Sequence, residues 1–293
     1  MDGVVNIHKP PRMTSHDVVQ KVRSILGEKR IGHTGTLDPL ATGVLVLCVG
    51  KATRIAQYLE AGEKEYQAVM RLGVTTDTLD ADGCVLETRG YAPPGRDRVI
   101  DALQPFIGQI MQQPPAYSAI KVAGVPSYKL ARQGKAGPIK ERPVTVHDIR
   151  LTAYDDPLVS LTIACSKGVY VRSLCADIGD VLGMGAHLTS LVRTRSGRFC
   201  IDQSMTLEEL AGFAASGTAD RALVPITEAL DFPTALISET ESARILHGNQ
   251  IPCPPGSLAN SANDLVKVLD PDGRLLSLAR VVAGVLKPEL VFS

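Results

Sequence analysis

The sequence predicts an α+β protein in two parts, a mixed α/β domain to about residue 232 and a small β-rich domain over 233–293. Three observations carry this. An apolar, β-branched run at 44–49 and a clean alternation at 65–72 read as strands with a buried face, and 144–151 and 159–165 read as strands as well. Between them, apolar residues at helical spacing follow recognisable helix starts. Beyond residue 232 the segments shorten to strands separated by turns such as Asp270-Pro271-Asp272-Gly273. A chain of 293 residues has room for one large domain or two smaller ones, and 44% hydrophobic with 21% charged residues is the composition of a folded chain.

Residues 4–7 read as a short strand ending at Lys9-Pro10-Pro11. Thr14-Ser15-His16-Asp17 opens a helix whose apolar face is Val18, Val19, Val22, Ile25 and Leu26, and Gly27 stops it. A loop of small residues follows, then the buried strand at 44–49 and a helix at 52–61. In the next strand Tyr66, Ala68, Met70 and Leu72 share one face. Residues 97–107 read as helix, and 114–121 as an extended segment feeding a Gly/Pro-rich basic arm over about 121–143. The strands at 144–151 and 159–165 precede a helix at 171–182, broken near Gly183. Acidic helices fill 206–230, the first opened by the capping box Thr206-Leu207-Glu208-Glu209. Asp231-Phe232-Pro233 reads as a linker, Ser238-Glu239-Thr240-Glu241 opens one more helix, and strands are expected at 265–269, 275–282 and 290–292.

Several function classes are disfavoured. The six cysteines include no Cys-x-x-Cys pair and read as small buried hydrophobes in a reducing compartment. The six histidines lack metal-ligand spacing, so no metal site is expected. No glycine-rich nucleotide fingerprint is present, so no cofactor is expected. No apolar run is long enough to span a bilayer and the N-terminus does not read as a secretory signal, which predicts a cytoplasmic protein without a membrane partner. Net charge is zero but polarised: residues 121–150 carry seven basic against two acidic side chains, whereas 202–245 carry eight acidic against two basic. A basic middle suits phosphates, and equally a solvated face.

The densest signal is Gly32-His33-Thr34-Gly35-Thr36-Leu37-Asp38-Pro39-Leu40-Ala41-Thr42-Gly43, small turn-forming residues around one carboxylate ahead of a core strand. Asp-Pro taken alone is most simply a helix cap. Gly43 limits any such helix to about one turn, and a glycine-punctuated loop before a core strand is where scaffolds mount functional groups. Three further patterns accompany it: Tyr66 on its strand, the turn Ser166-Lys167-Gly168-Val169-Tyr170-Val171-Arg172, and the run Leu191-Val192-Arg193-Thr194-Arg195-Ser196-Gly197-Arg198. Each has a structural reading as core tyrosine, surface pair or solvated edge. Together, one acid, a few tyrosines, basic neighbours and no cofactor suit chemistry on an extruded nucleobase.

These motifs, in order, closely resemble the TruB family of tRNA pseudouridine-55 synthases. The resemblance also covers Lys9-Pro10 with Thr14-Ser15-His16, Lys64-Glu65-Tyr66 with Thr76-Asp77-Thr78-Leu79-Asp80-Ala81-Asp82-Gly83, and Gln113-Pro114-Pro115-Ala116-Tyr117-Ser118-Ala119-Ile120-Lys121. It runs from the N-terminus to about residue 200, and the tail after 233 resembles a PUA-like RNA-binding module. Thr36 and Val169 depart from the usual family residues without removing a reactive group. The resemblance implies a pseudouridine synthase fold with a mixed, mainly antiparallel sheet, flanked by helices and loops, and an RNA-clasping insertion at 121–143. It implies Asp38 as catalytic residue, Tyr66 stacking on the extruded uracil, Tyr170 and Leu191 lining the base pocket, Arg172 pairing with Asp38, His33 holding the RNA loop open and Lys9 supporting the site on the substrate side. Lys129, Arg132, Lys135, Lys140, Arg193 and Arg195 would meet the RNA backbone. The implied substrate is the T-arm stem-loop of tRNA, taken by a monomer needing no protein partner. Three alternatives stay open: a non-catalytic RNA-binding or tRNA-folding protein, a base-removing glycosidase, which would favour two close carboxylates, and a guide-RNA-dependent enzyme of the same family.

Overall fold

The chain opens with strand β1 (Gly3–Lys9) and helix α1 (Ser15–Leu26) in the computed structural model, which describes residues 1–118, 120–122, 124–135, 137, 139–254 and 264–292. Thr14 caps α1: its hydroxyl accepts the Asp17 amide and the Asp17 carboxylate accepts the Thr14 amide. Gly27 ends the helix at φ 63°. Strand β2 (Ile31–His33) leads into the Asp38 loop and β3 (Thr42–Val49) leaves it. After α2 (Ala56–Glu60) come β4 (Lys64–Leu72), the hairpin of β5 (Val74–Thr76) and β6 (Val85–Thr88), and α3 (Arg96–Leu103). Strand β7 (Gly108–Gln112) runs out to the arm, which holds β8 (Lys121–Val122), β9 (Val125–Pro126) and α4 (Ser127–Arg132). The chain returns in β10 (Arg142–Asp155), then β11 (Leu158–Cys165), α5 (Val171–Val181), β12 (Ala186–Ser196), β13 (Phe199–Cys200), α6 (Leu207–Ala215) and α7 (Ile226–Ala229). The tail supplies β14 (Thr234–Leu236), α8 (Glu239–Leu246), β15 (Ile251–Pro252), β16 (Leu265–Leu269), β17 (Leu275–Val282) and β18 (Val285–Val291).

The main sheet runs β1-β3-β12-β4-β11-β10-β7, with β2 added to β3 and β13 to β12. Every pairing is antiparallel except β3 with β12, which bears out a mixed, mainly antiparallel sheet. Tyr66, Ala68, Met70 and Leu72 lie on one buried face, as their alternation predicts. That face meets Val18 and Val22 of α1, Val99 of α3, Leu174 and Ile178 of α5 and Leu210 of α6. Each such side chain contributes roughly 1.5–3 kcal/mol by leaving water. Strand β3 is buried on both faces because its other side meets Ile55, Phe199, Leu230 and, from the tail, Leu278 and Phe292. The tail forms its own sheet, β14-β16-β17-β18-β15, with its own core, and Lys267 Nζ ties it back by donating to the carbonyls of Thr227 (2.9 Å) and Leu230 (3.0 Å). Cys48, Cys165 and Cys175 are buried, and burial pushes each thiol up to about 12, as expected of small core hydrophobes, whereas Cys84 is exposed and Cys200 and Cys253 are half-buried, so the expectation fails for those three. Among the described residues no helix is long and apolar enough to cross a membrane.

Several elements differ from the sequence reading. No helix follows Asp38; its carbonyl accepts the Ala41 amide at 3.1 Å and closes a turn, so the cap reading fails. The helix expected at 97–107 ends at Leu103, and a 3₁₀ turn with Pro105 finishes it. The helix at 52–61 is likewise a 3₁₀ turn before the five-residue α2. The strand expected at 144–151 extends over Arg142–Asp155, and the last strand over Val285–Val291. Strands β7 and β12 have no counterpart in the sequence reading. Strand β12 lies between β3 and β4 although it carries Arg193 and Arg195, because its arginines find acceptors inside the fold.

Candidate active site

Asp38 stands in the connection from β2 to β3, and the flanking residues are anchored in the core: Leu37 is 3% and Ala41 0% exposed. Ser15 at the start of α1 holds Leu37 by a reciprocal pair, its Oγ accepting the Leu37 amide at 2.8 Å and donating to the Leu37 carbonyl at 3.0 Å. Gly43 has φ 92°, and a Cβ there would fall 2.3 Å from the Arg193 carbonyl oxygen, so only glycine lets the loop enter β3 beside β12.

Lys9 and Arg193 brace this loop from beneath. Lys9 is fully buried and its Nζ donates to the carbonyls of Pro10 (2.9 Å), Met13 (2.6 Å) and Pro39 (3.2 Å). Burial pulls the ammonium down to about 8 against the charges of Asp38 and Asp17. With three donors on three carbonyls, Lys9 fixes the residue after Asp38 and turns no donor toward a substrate. Arg193 is 2% exposed, its Nε donating to Val44 O at 2.7 Å and its Nη2 to Gly35 O at 3.1 Å. It is therefore a staple for the Asp38 loop, and the expectation that it meets RNA backbone is corrected by its burial. Arg195 is half-buried and pairs with Glu65 at 2.7 Å and Glu63 at 3.7 Å.

Arg172, the second residue of α5, reaches Asp38 with Nε 2.9 Å from Oδ2 and Nη2 donating to Oδ1 at 3.0 Å. Its remaining reach goes to Thr78 O (2.9 Å), Tyr117 O (3.0 Å) and Asp80 Oδ2 (3.3 Å). The guanidinium side chain is 5% exposed, whereas that of Asp38 is 33% exposed. Asp80 is the residue that sequence reasoning leaves without a role. Its side chain is 8% exposed, and Oδ1 accepts Thr78 Oγ1 at 2.5 Å and the Asp82 amide at 3.2 Å. The packing of small polar residues in Thr76-Asp77-Thr78-Leu79-Asp80 is the signal that could have flagged it. Both Asp80 oxygens face protein donors, so the two carboxylates are not a pair flanking a common substrate, which removes the support a two-acid glycosidase would need.

Burial raises the Asp38 pKa and Asp80 adds to the rise, while Arg172 and Lys9 oppose it. A carboxyl that works ionised and titrates above its ordinary range loses its charge earlier on acidification. The acid limb of a pH–rate profile is therefore expected above the free aspartate value of about 3.9. A profile flat down to that value would show that the ionised form is not required.

Tyr66 and Arg193 are register partners on β4 and β12, and Leu191 lies two residues from Arg193 opposite Ala68. Tyr66 is 8% and Leu191 6% exposed, giving an apolar floor. Burial raises the Tyr66 phenol, which stays protonated at neutral pH beside the charges of Arg193 and Asp38. His33 ends β2; its Nδ1 accepts the Gly35 amide at 3.4 Å and burial lowers its pKa, favouring neutral imidazole. Tyr170, half-buried, immediately precedes α5. Fold and burial thus bring Asp38, Arg172, Tyr66 and Leu191 to one region. Lys129, Arg132, Lys135 and Lys140 lie apart on the arm, at its surface, with the Arg132 guanidinium 5.7 Å from the Tyr128 ring centroid. Among the described residues no cluster of His, Cys, Asp and Glu is arranged to hold a metal ion.

Comparison with known proteins identifies the family. Residues 23–171 match the model of the TruB family pseudouridylate synthase N-terminal domain, and residues 172–231 match that of the tRNA pseudouridylate synthase B C-terminal domain. The chain is 43% identical over 302 residues to tRNA pseudouridine synthase B of Thermobifida fusca (strain YX), covering 100% of this chain and 99% of the relative. It is 41% identical over 300 residues to the protein of the same name from Bacillus licheniformis, covering 99% and 97%. Among solved structures, a chain of an H/ACA RNP bound to a substrate RNA containing 2'-deoxyuridine superposes with a TM-score of 0.76 at 28% identity, covering 99% of this chain and 85% of that one.

Proposed function

The chain belongs to the TruB family of pseudouridine synthases, and on that premise we propose that it converts uridine 55 in the T-arm loop of tRNA to pseudouridine. It is an isomerase acting on uridine in tRNA. The reaction breaks the N–C glycosidic bond, turns the uracil and rejoins it through carbon, so substrate and product have the same atoms and oxidation state. The observation that carries the reading is the Arg172–Asp38 pair, in which a buried guanidinium aims an acid that is itself one-third exposed. Arg172 favours the charged form of Asp38 and fixes both its oxygens. The target base leaves its stack to reach this acid. Tyr66 and Leu191 offer it an apolar floor, Tyr170 a ring to lie against, and His33 a wedge in the RNA loop. Residues 121–143 clasp the T-arm, and residues 233–293 act as a PUA-like RNA-binding module. The protein works in the cytoplasm as a single chain.

A T-arm stem-loop transcript carrying tritium at uracil C5 tests the assignment, because rejoining through C5 releases that proton to water. Tritium release from this loop, abolished when the target uridine is replaced by cytidine, is the expected outcome. Modification elsewhere in tRNA with none at this position would overturn it. Replacing Lys129, Arg132, Lys135 and Lys140 together by alanine is expected to weaken binding and to lower the salt slope by roughly one for each phosphate no longer neutralised. An unchanged slope in filter-binding titrations would place the RNA elsewhere.

A further inference from the structure

The neck of the arm is closed by two residues that face each other across the sheet. Gln112 ends β7, where the chain enters the arm, and its register partner is Arg142, where β10 leaves it. Gln112 is 1% exposed. Its Oε1 accepts the Tyr170 amide at 2.8 Å and its Nε2 donates to the Tyr170 carbonyl at 3.0 Å. The side-chain amide thereby pairs with the Tyr170 backbone as a neighbouring strand would. Arg142 donates from Nη2 to the Gly168 carbonyl at 2.6 Å, and its guanidinium lies 5.0 Å from the centroid of the Tyr170 ring. The same segment is joined to α5 twice more, by Ser173 Oγ donating to Gln113 O at 3.0 Å and by Arg172 Nη2 donating to Tyr117 O at 3.0 Å.

Both roots of the arm therefore end on the turn that places Tyr170, two residues before the guanidinium that holds Asp38. A buried glutamine is costly unless its amide is paired, and here removing it would leave the Tyr170 amide unpaired, while the Tyr170 carbonyl keeps only the Leu174 amide at 3.1 Å. We propose that Gln112 and Arg142 are a positioning pair for the pseudouridine synthase reaction, holding Tyr170 against the extruded uridine and coupling the arm's grip on RNA to the base pocket. This rests on the reading of Tyr170 as a pocket residue and of the arm as the RNA clasp.

The test compares wild type, Gln112→Ala, Gln112→Glu and Arg142→Met on the tritiated T-arm stem-loop, with single-turnover rate, Kd by filter binding and Tm measured for each. Gln112→Ala and Arg142→Met are expected to keep Kd within about threefold while slowing the single-turnover step roughly ten- to hundredfold, the effect of a misplaced group at the reacting base. Gln112→Glu keeps the acceptor for the Tyr170 amide but loses the donor, and falls between. The decisive measurement repeats Gln112→Ala in a Tyr170→Ala background. If Gln112 acts through Tyr170, the second substitution slows the enzyme little further. A full additional penalty in that background, or a wild-type rate for Gln112→Ala, overturns the proposal. Should Gln112→Ala fail to fold, the Arg142→Met cycle with Tyr170→Ala decides by the same criterion. A wild-type protein inactive on this RNA, or a Tyr170→Ala protein as fast as wild type, sinks the underlying reading instead.

Discussion

Asp38→Asn is expected to lose pseudouridine formation by on the order of 10⁴-fold or more, the scale seen when the central group of a catalytic set is removed. The substitution keeps shape and removes charge. Because burial already disfavours the charged form of Asp38, the neutral amide does not burden the fold. Arg172 keeps its contacts with Asp80, Thr78 O and Tyr117 O, so it stays in place. Tm is therefore expected to change little, and affinity for the T-arm stem-loop by only a few fold. Chemical mapping of pseudouridine after reaction of transcript with each protein is the measurement. Product formed by Asp38→Asn at the wild-type rate would end the catalytic assignment. Equal losses of binding and product would favour a role in holding RNA.

Arg172→Met is expected to damage stability as well as activity. It removes the partner of a buried carboxylate: the Asp80 side chain is 8% exposed, and its other donors, Thr78 and the Asp82 amide, carry no charge. Breaking a buried ion pair on one side costs about 3–5 kcal/mol, or about 10 °C in Tm for a chain of this size. The pH dependence has a definite sign. Without Arg172, burial acts on the Asp38 carboxyl with only Lys9 opposing it, so that group titrates still higher in the folded protein than in the unfolded chain. The folded state then binds more protons, and the variant loses stability as pH rises. The deficit relative to wild type should shrink as pH falls toward the ordinary carboxylate range. A Tm deficit that is small, or that does not change with pH, would show that the guanidinium does not hold the charge of Asp38.

How much of this is legible in the sequence depends on the range of the interaction. The alternation at 65–72 identifies the buried face of β4 because side chains on a strand repeat every second residue, a local rule. The capping boxes at Thr14, Thr206 and Ser238 are equally local, with both partners within three residues. Strand β12 is obscured because Arg193 and Arg195 break an apolar pattern, and their acceptors, Val44 O, Gly35 O and Glu65, lie at least 130 positions away in the chain. The same distance hides the burial that takes Arg193 out of the RNA-facing set. Asp80 and Gln112 sit in or beside segments that the motifs single out, but a role for either requires knowing that Arg172 or Tyr170 arrives beside it.

Residues close together along the chain suffice for the mixed class, the run of short elements after residue 232, the family motifs and the loop that carries Asp38. What surrounds that acid is settled by tertiary packing alone. A turn rather than a helix presents it, Lys9 and Arg193 brace it from below, and Arg172 is shared between it and Asp80. Those choices follow from desolvation: a buried donor or charge takes whichever acceptor the fold brings within about 3 Å, and only the packed sheet determines which one that is.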